Sequence, residues 1–135
     1  LRRRVARIST MILDTCAILW LASGNAQLSD HARATIASAP QVAISSISAM
    51  EIGQKYQKGK LSLPMPPSEW FHAIVKHHGL TVINLDADIC LRATELPQIH
   101  KDPFDRLIIS TALRLEREVV TADAVFSSYG VDTLC

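Results

Sequence analysis

The feature that most constrains this chain is an alternation of short β-branched apolar runs with stretches of helical periodicity. The runs are STMILD (9–14), QVAISSIS (41–48), LTVINL (80–85) and EVVTA (118–122), each too short for a packed helix and rich enough in Val, Ile and Thr to be a strand. Between them lie TCAILWLASG, stopped at Gly24, and HARATIASA, offered a cap by Ser29-Asp30 and ended by Pro40. Then come AMEIGQKYQKG, closed by Gly59, and EWFHAIVKHH, capped by Ser68 and ended by Gly79. DADICLRATEL stops at Pro97, and PFDRLIISTALRLERE carries Pro103 in its first turn. The connector LSLPMPPSE contains three prolines, and a short helical turn over AVFSSYG precedes an edge strand in VDTLC. Strands separated by helices cannot pair as tight hairpins. Repeated βαβ units, and so an α/β fold with a mostly parallel sheet, are predicted.

At 135 residues the chain is the size of one domain with one core. With 5% aromatic residues among 48% hydrophobic ones, that core must be mainly aliphatic. No apolar run approaches the ~20 residues that span a bilayer. The basic start LRRRVARIST is not followed by the apolar stretch and cleavage site of a secretory signal. A cytoplasmic protein with no membrane partner is expected. Cys16, Cys90 and Cys135 form neither a disulfide framework nor a zinc ribbon, and Cys16 and Cys90 are expected to be small buried hydrophobes.

The net charge of +1 is uneven, because Arg2, Arg3, Arg4 and Arg7 lie in the first ten residues. Setting those four aside leaves ten basic residues against thirteen acidic ones, about −3. Residues 1–10 are expected to be an upstream extension or an expression remnant, with Met11 as the natural start and the domain spanning 11–135. Bulk charge then gives no argument for nucleic-acid binding, and a polyanion must be held by local basic groups and metal.

Four carboxylates have positions that chain direction can bring together. Asp14 ends the first strand and Asp123 follows the fourth, and parallel sheets gather ligands outside the carboxyl ends of their strands. Glu51 is expected in the first turn of the helix after the second strand, and Asp105 in the first turn of the helix before the fourth. Each has an ordinary explanation as well. Asp14 and Asp123 can simply cap the helices they precede, Ser48-x-x-Glu51 matches a capping box, and Asp102-x-x-Asp105 resembles one. Asp102 is read first as a cap. Together, four unpaired carboxylates on one rim would repel and hold their protons unless a cation compensated them. Arg106 is the only basic residue adjacent to any of them in sequence. Oxygen donors without Cys or His at metal spacing favour Mg²⁺ or Mn²⁺, ions suited to hydrolysing a phosphodiester.

The segments MILDTCAILW, SAMEIGQKYQKGKL, HKDPFDRLIISTAL and VVTADAVFSSYGV, in order and sensibly spaced, resemble the four motif blocks of the PIN domain family. Within it they resemble the VapC-type ribonuclease toxin branch with an H-x-D-P-F-D-R block. The resemblance implies a three-layer α/β/α domain around a mostly parallel sheet. It implies Asp14, Asp105 and Asp123 as principal metal ligands, and Glu51 as a further ligand or base. It places Thr121 as a hydroxyl orienting water or a carboxylate. It also implies Mg²⁺ or Mn²⁺, an RNA substrate, inhibition by a cognate antitoxin, and a homodimer. Where relatives often finish with a Trp, this chain ends VDTLC.

Weaker signals have two readings each. His100, Lys101 and Arg106 can contact RNA phosphates, or Lys101 and Arg106 can be solvated charges or carboxylate partners. Lys55, Lys58 and Lys60 can track phosphates or form a solvated helix face. His77 and His78 read as dipole-complementing residues at a helix end. Trp20/Leu21 and Trp70/Phe71 belong to the core or to a partner groove. Three rival functions remain open at this point: a housekeeping RNA-processing nuclease, an inactive PIN-fold binding module, and a phosphatase.

Overall fold

The computed structural model describes residues 10–135. The elements are β1 (Thr10–Leu13), α1 (Thr15–Ser23), α2 (Asp30–Ser38), β2 (Gln41–Ser45), α3 (Ser46–Gln57) and α4 (Pro67–His78). They continue with β3 (Thr81–Ile83), α5 (Ala87–Glu95), α6 (Pro103–Leu115), β4 (Glu118–Val120), a 3₁₀ helix (Ala124–Tyr129) and β5 (Thr133–Leu134). Among the described residues, five strands form one sheet in the order β3-β2-β1-β4-β5, with every pairing parallel.

Residue alternation along the strands gives the sheet two buried faces. Met11, Leu13, Val42, Ile44 and Val120 pack with Ala17, Ile18, Ala32, Ile36, Ile52 and Trp70 on one face. Ile12, Ala43 and Val119 pack with Ile47, Ile108, Ile109, Ala112 and Phe126 on the other. A period of two in the strands, met by helices on both sides, makes this a three-layer α/β/α domain. Both buried clusters are dominated by aliphatic side chains.

Element boundaries differ from the sequence reading for local reasons. The second strand stops at Ser45, because the Ser45 hydroxyl accepts from the Ile47 N–H at 3.1 Å and starts α3 there. Ser48 is therefore not the cap: it is buried inside α3, with its hydroxyl 2.9 Å from that of Thr15. Glu51 moves from the expected first turn to the second. The third strand shrinks with its partner, since Ser45 pairs with Ile83 and no ladder continues past them. Beyond it the Leu85 N–H donates to the Ser46 hydroxyl at 3.2 Å instead. Ser68 does not cap α4. Pro66 occupies that position without a side-chain bond, and Pro67 at the first turn has no N–H to satisfy. Cys16 and Cys90 are exposed rather than buried. The reading of residues 1–10 as an extension falls outside the described residues except for Thr10, which opens β1 and pairs with Gln41 of β2.

Candidate active site

The strand order creates the site. From β1 the chain moves outward to β2 and β3, then returns to place β4 and β5 on the other side of β1. Between β1 and β4 the direction of winding reverses, and at such a switch point the loops leaving the two strands diverge and open a crevice. Asp14 and Thr121–Asp123 leave the strands at that point, and the Asp14 N–H donates to Val120 O at 3.1 Å. A cleft of about 350 Å³ opens there, lined by Asp14, Glu51, Asp105 and Asp123 together.

Asp14 is buried and caps α1, its Oδ1 accepting from the Ala17 N–H at 2.8 Å. Burial pushes its pKa up, against the opposing effect of a hydrogen bond from Thr121 and the one from Ala17. Capping and site membership thus coexist in one residue. Thr121 is buried and serves both strand ends, since its hydroxyl also accepts from the Asp123 N–H at 3.0 Å. Asp123 Oδ1 accepts from the Val125 N–H at 2.9 Å, starting the 3₁₀ helix, while Oδ2 faces the cleft. Asp102 caps α6 through the Phe104 N–H at 2.9 Å and also lines the cleft. Asp105, in the first turn of α6, has its pKa pushed up to about 7 by burial first and by the Asp102 charge next. Glu51 is buried, with Oε2 3.1 Å from Lys55 Nζ and Oε1 without a partner among the described residues.

Three residues take roles that sequence did not reveal. His100 is inside the site: Nε2 lies 2.9 Å from Asp123 Oδ2 and 3.0 Å from Asp105 Oδ2. The H-x-D-P-F-D-R block contained it, yet spacing alone gave no reason for the ring to point inward. Tyr129 supplies that reason. Its hydroxyl accepts from the Ile99 and His100 N–H groups and donates to Pro97 O at 2.8 Å, pinning the loop. Lys55 also belongs to the cleft, as the i+4 partner of Glu51.

Arg106 corrects an expectation. Rather than facing RNA or a carboxylate, it is buried and donates to Ala93 O, Leu96 O, Pro97 O and His100 O at 2.7–3.2 Å. Its guanidinium satisfies the open carbonyls at the end of α5 and holds the His100 loop. Lys101 is exposed in that loop. The two tryptophans reconcile their alternatives: Trp70 is core and Trp20 half-buried, and both line a groove of about 500 Å³ with Leu19, Leu61 and Leu63, Trp20 bordering the acidic cleft as well. His78 ends α4, where burial lowers its pKa.

The donor set fits a divalent cation. A buried carboxylate oxygen without a partner, together with Asp14 and Asp105 held toward their protonated forms, marks an uncompensated concentration of negative charge. Oxygens of Asp105 and Asp123 lie within 4.8 Å of each other, with His100 Nε2 against both. Hard oxygen donors match Mg²⁺ or Mn²⁺.

The PIN domain family model matches residues 11–132. Ribonuclease VapC22 of Mycobacterium tuberculosis is 26% identical over 123 residues, covering 90% of this chain and 93% of that protein. A chain of VapBC2 from Rickettsia felis, solved bound to a DNA fragment from their promoter, superposes with a TM-score of 0.70 at 18% identity. The match covers 93% of this chain and 97% of that one. A toxin–antitoxin complex from Klebsiella pneumoniae gives 0.65 at 22% identity, covering 93% and 96%. At these identities the structural likeness is one of fold.

Proposed function

Because this chain belongs to the PIN domain family, we propose that its acidic cleft makes it a Mg²⁺- or Mn²⁺-dependent endoribonuclease. The observation that carries the proposal is the convergence of Asp14, Glu51, Asp105 and Asp123 on one cleft, with Glu51 Oε1 buried and unpartnered. Asp14, Asp105 and Asp123 would hold the ion, with Glu51 as a fourth donor. A divalent ion, when bound, supplies Lewis acidity toward the phosphate and a nucleophile from solvent at neutral pH. The chain's own groups do the rest. Thr121 fixes the Asp14 carboxylate and the backbone of Asp123, so two of the donors keep one geometry. Lys55, a third exposed at its side chain, and Lys101 in the loop before α6 offer cations to a phosphate backbone.

The likeness to a ribonuclease and to toxin–antitoxin complexes supports a further step, in which the chain is the toxin of a pair and is restrained by a cognate antitoxin. The groove between Trp20 and Trp70 suits an apolar segment of that partner. A homodimer and a cytoplasmic location belong to the same reading. No helix among the described residues is long and apolar enough to cross a membrane.

The test is cleavage of RNA by the purified protein with Mg²⁺, with Mn²⁺ and with EDTA, alongside Asp14→Asn. Metal-dependent cleavage that falls at least a hundredfold in the variant is expected. Undiminished cleavage in EDTA, or by a folded Asp14→Asn protein, refutes the assignment. Growth arrest on expression, relieved by co-expressing a neighbouring antitoxin gene, separates a toxin from a housekeeping nuclease. Hydrolysis of small phosphomonoesters in place of RNA would make the protein a phosphatase.

A further inference from the structure

His100 is fixed at every edge of its ring. The Asp102 backbone N–H donates to Nδ1 at 3.2 Å. Nε2 lies within 3.0 Å of one oxygen from each of Asp105 and Asp123. The ring stands edge-on to Phe126, with centroids 6.2 Å apart and planes at 84°. A ring nitrogen that accepts an N–H carries no proton itself, so the proton sits on Nε2. Nε2–H therefore donates to Asp123 Oδ2, and Asp105 Oδ2 lies 3.0 Å from the same nitrogen.

Ligation of a metal by His100 needs the reverse arrangement. Nε2 would need a bare lone pair and Nδ1 a proton, which would then face the Asp102 N–H donor to donor. The surrounding carboxylates also select a hard cation, for which imidazole is a poor ligand. We infer that His100 is an internal stand-in for the cation: with no ion bound, its Nε2–H would donate to Asp123 and stay against Asp105, and the ring leaves when a divalent ion enters. The inference rests on the metal-dependent reading above. His100 is then a positioning residue that keeps the two carboxylates converged while no ion is present. It also weakens metal binding, because the ion must displace a donor that contacts both.

The decisive comparison is Mn²⁺ titration by calorimetry, at pH 8, of the wild type and His100→Ala. The variant is expected to bind Mn²⁺ roughly tenfold more tightly, which corresponds to about 1.4 kcal/mol. In EDTA it should melt below the wild type. Equal or weaker Mn²⁺ binding in the variant overturns the inference and leaves the metal site standing, since a ligand would show that sign. Absence of Mn²⁺ binding in both proteins removes the metal reading and this inference with it. A second measurement needs no variant. Nitrogen-15 NMR of the wild-type imidazole should show a protonated Nε2 without metal. With saturating Mg²⁺ that nitrogen should keep its proton and lose its protection from exchange with water. Loss of the proton from Nε2 on adding Mg²⁺ would identify a ligand and refute the displacement.

Discussion

Asp105 retains its proton to about pH 7 even though a histidine N–H lies 3.0 Å away, because burial and the charges of Asp102, Glu51 and Asp14 outweigh that donor. In the unfolded chain the same carboxyl releases its proton near 3.8. Between those values the native state binds the extra proton, so stability falls as pH rises through that window and stays lowered above it. A shift of about three pKa units corresponds to a ceiling of roughly 4 kcal/mol. The side chain is 20% exposed, and relaxation toward solvent removes part of that, leaving about 2 kcal/mol as the working figure. Asp105→Asn deletes the charge and keeps the shape. In EDTA at pH 8 the variant should therefore melt roughly 6–10 °C above the wild type, followed by circular dichroism. Lowering the pH to 5 should shrink the gap, because most wild-type molecules then carry the proton in the native state. Adding Mg²⁺ should raise the wild-type melting temperature and barely move the variant. A variant no more stable than wild type at pH 8 in EDTA, or a gap independent of pH, would refute the argument.

Arg106→Lys should cost about 3 kcal/mol in urea unfolding despite keeping the charge, because one ammonium cannot reach carbonyls of four residues; an unchanged midpoint would show that the fork is dispensable. Thr121→Val removes a donor to Asp14 and an acceptor for the Asp123 N–H. It should destabilise the protein by about 2 kcal/mol and weaken Mn²⁺ binding in calorimetry. Lys55→Met should weaken RNA binding and flatten its dependence on salt by roughly 0.7 in logarithmic slope. A slope that does not change would confine Lys55 to its role as counterion of Glu51.

The parallel sheet was legible because β-branched runs and helical stretches alternate without ambiguity, and because Gly24 and Gly79 stop their helices in the left-handed conformation only glycine adopts freely. The helix after β2 was misplaced at its start because Ser45, Ser46 and Ser48 are equally good caps as letters. Their partners decide between them: Ser45 accepts from the Ile47 N–H, Ser46 from the distant Leu85 N–H, and Ser48 is buried against Thr15. The same blindness hid the cysteines, whose side of the helix depends on packing by residues far away in sequence. The places of His100 and Arg106 escaped the sequence for one shared reason. Both answer to backbone groups, the Asp102 N–H and four open carbonyls, and backbone groups carry no signature in the residue letters.

Asp14 and Asp123 cap the elements they precede, and Asp102 and Asp105 flank the start of α6. The partial positive charge at a helix N-terminus makes a carboxylate there locally favourable. One at a time, these acids therefore look like ordinary stop-and-start signals, and nothing local distinguishes a cap that also faces a cleft. The strand order changes the sign of the energetics. By setting β4 beside β1, it gathers acids that each favour their own helix into one volume where they oppose one another. Glu51 is the exception that exposes the conflict. It sits in the second turn of α3, away from the helix start, and one of its oxygens is buried without a partner. Its placement has no capping explanation, so Glu51→Gln is the cleanest probe of the shared charge. That change should stabilise the metal-free protein and weaken Mn²⁺ binding together. If it leaves Mn²⁺ affinity untouched, the four acids do not act as one site.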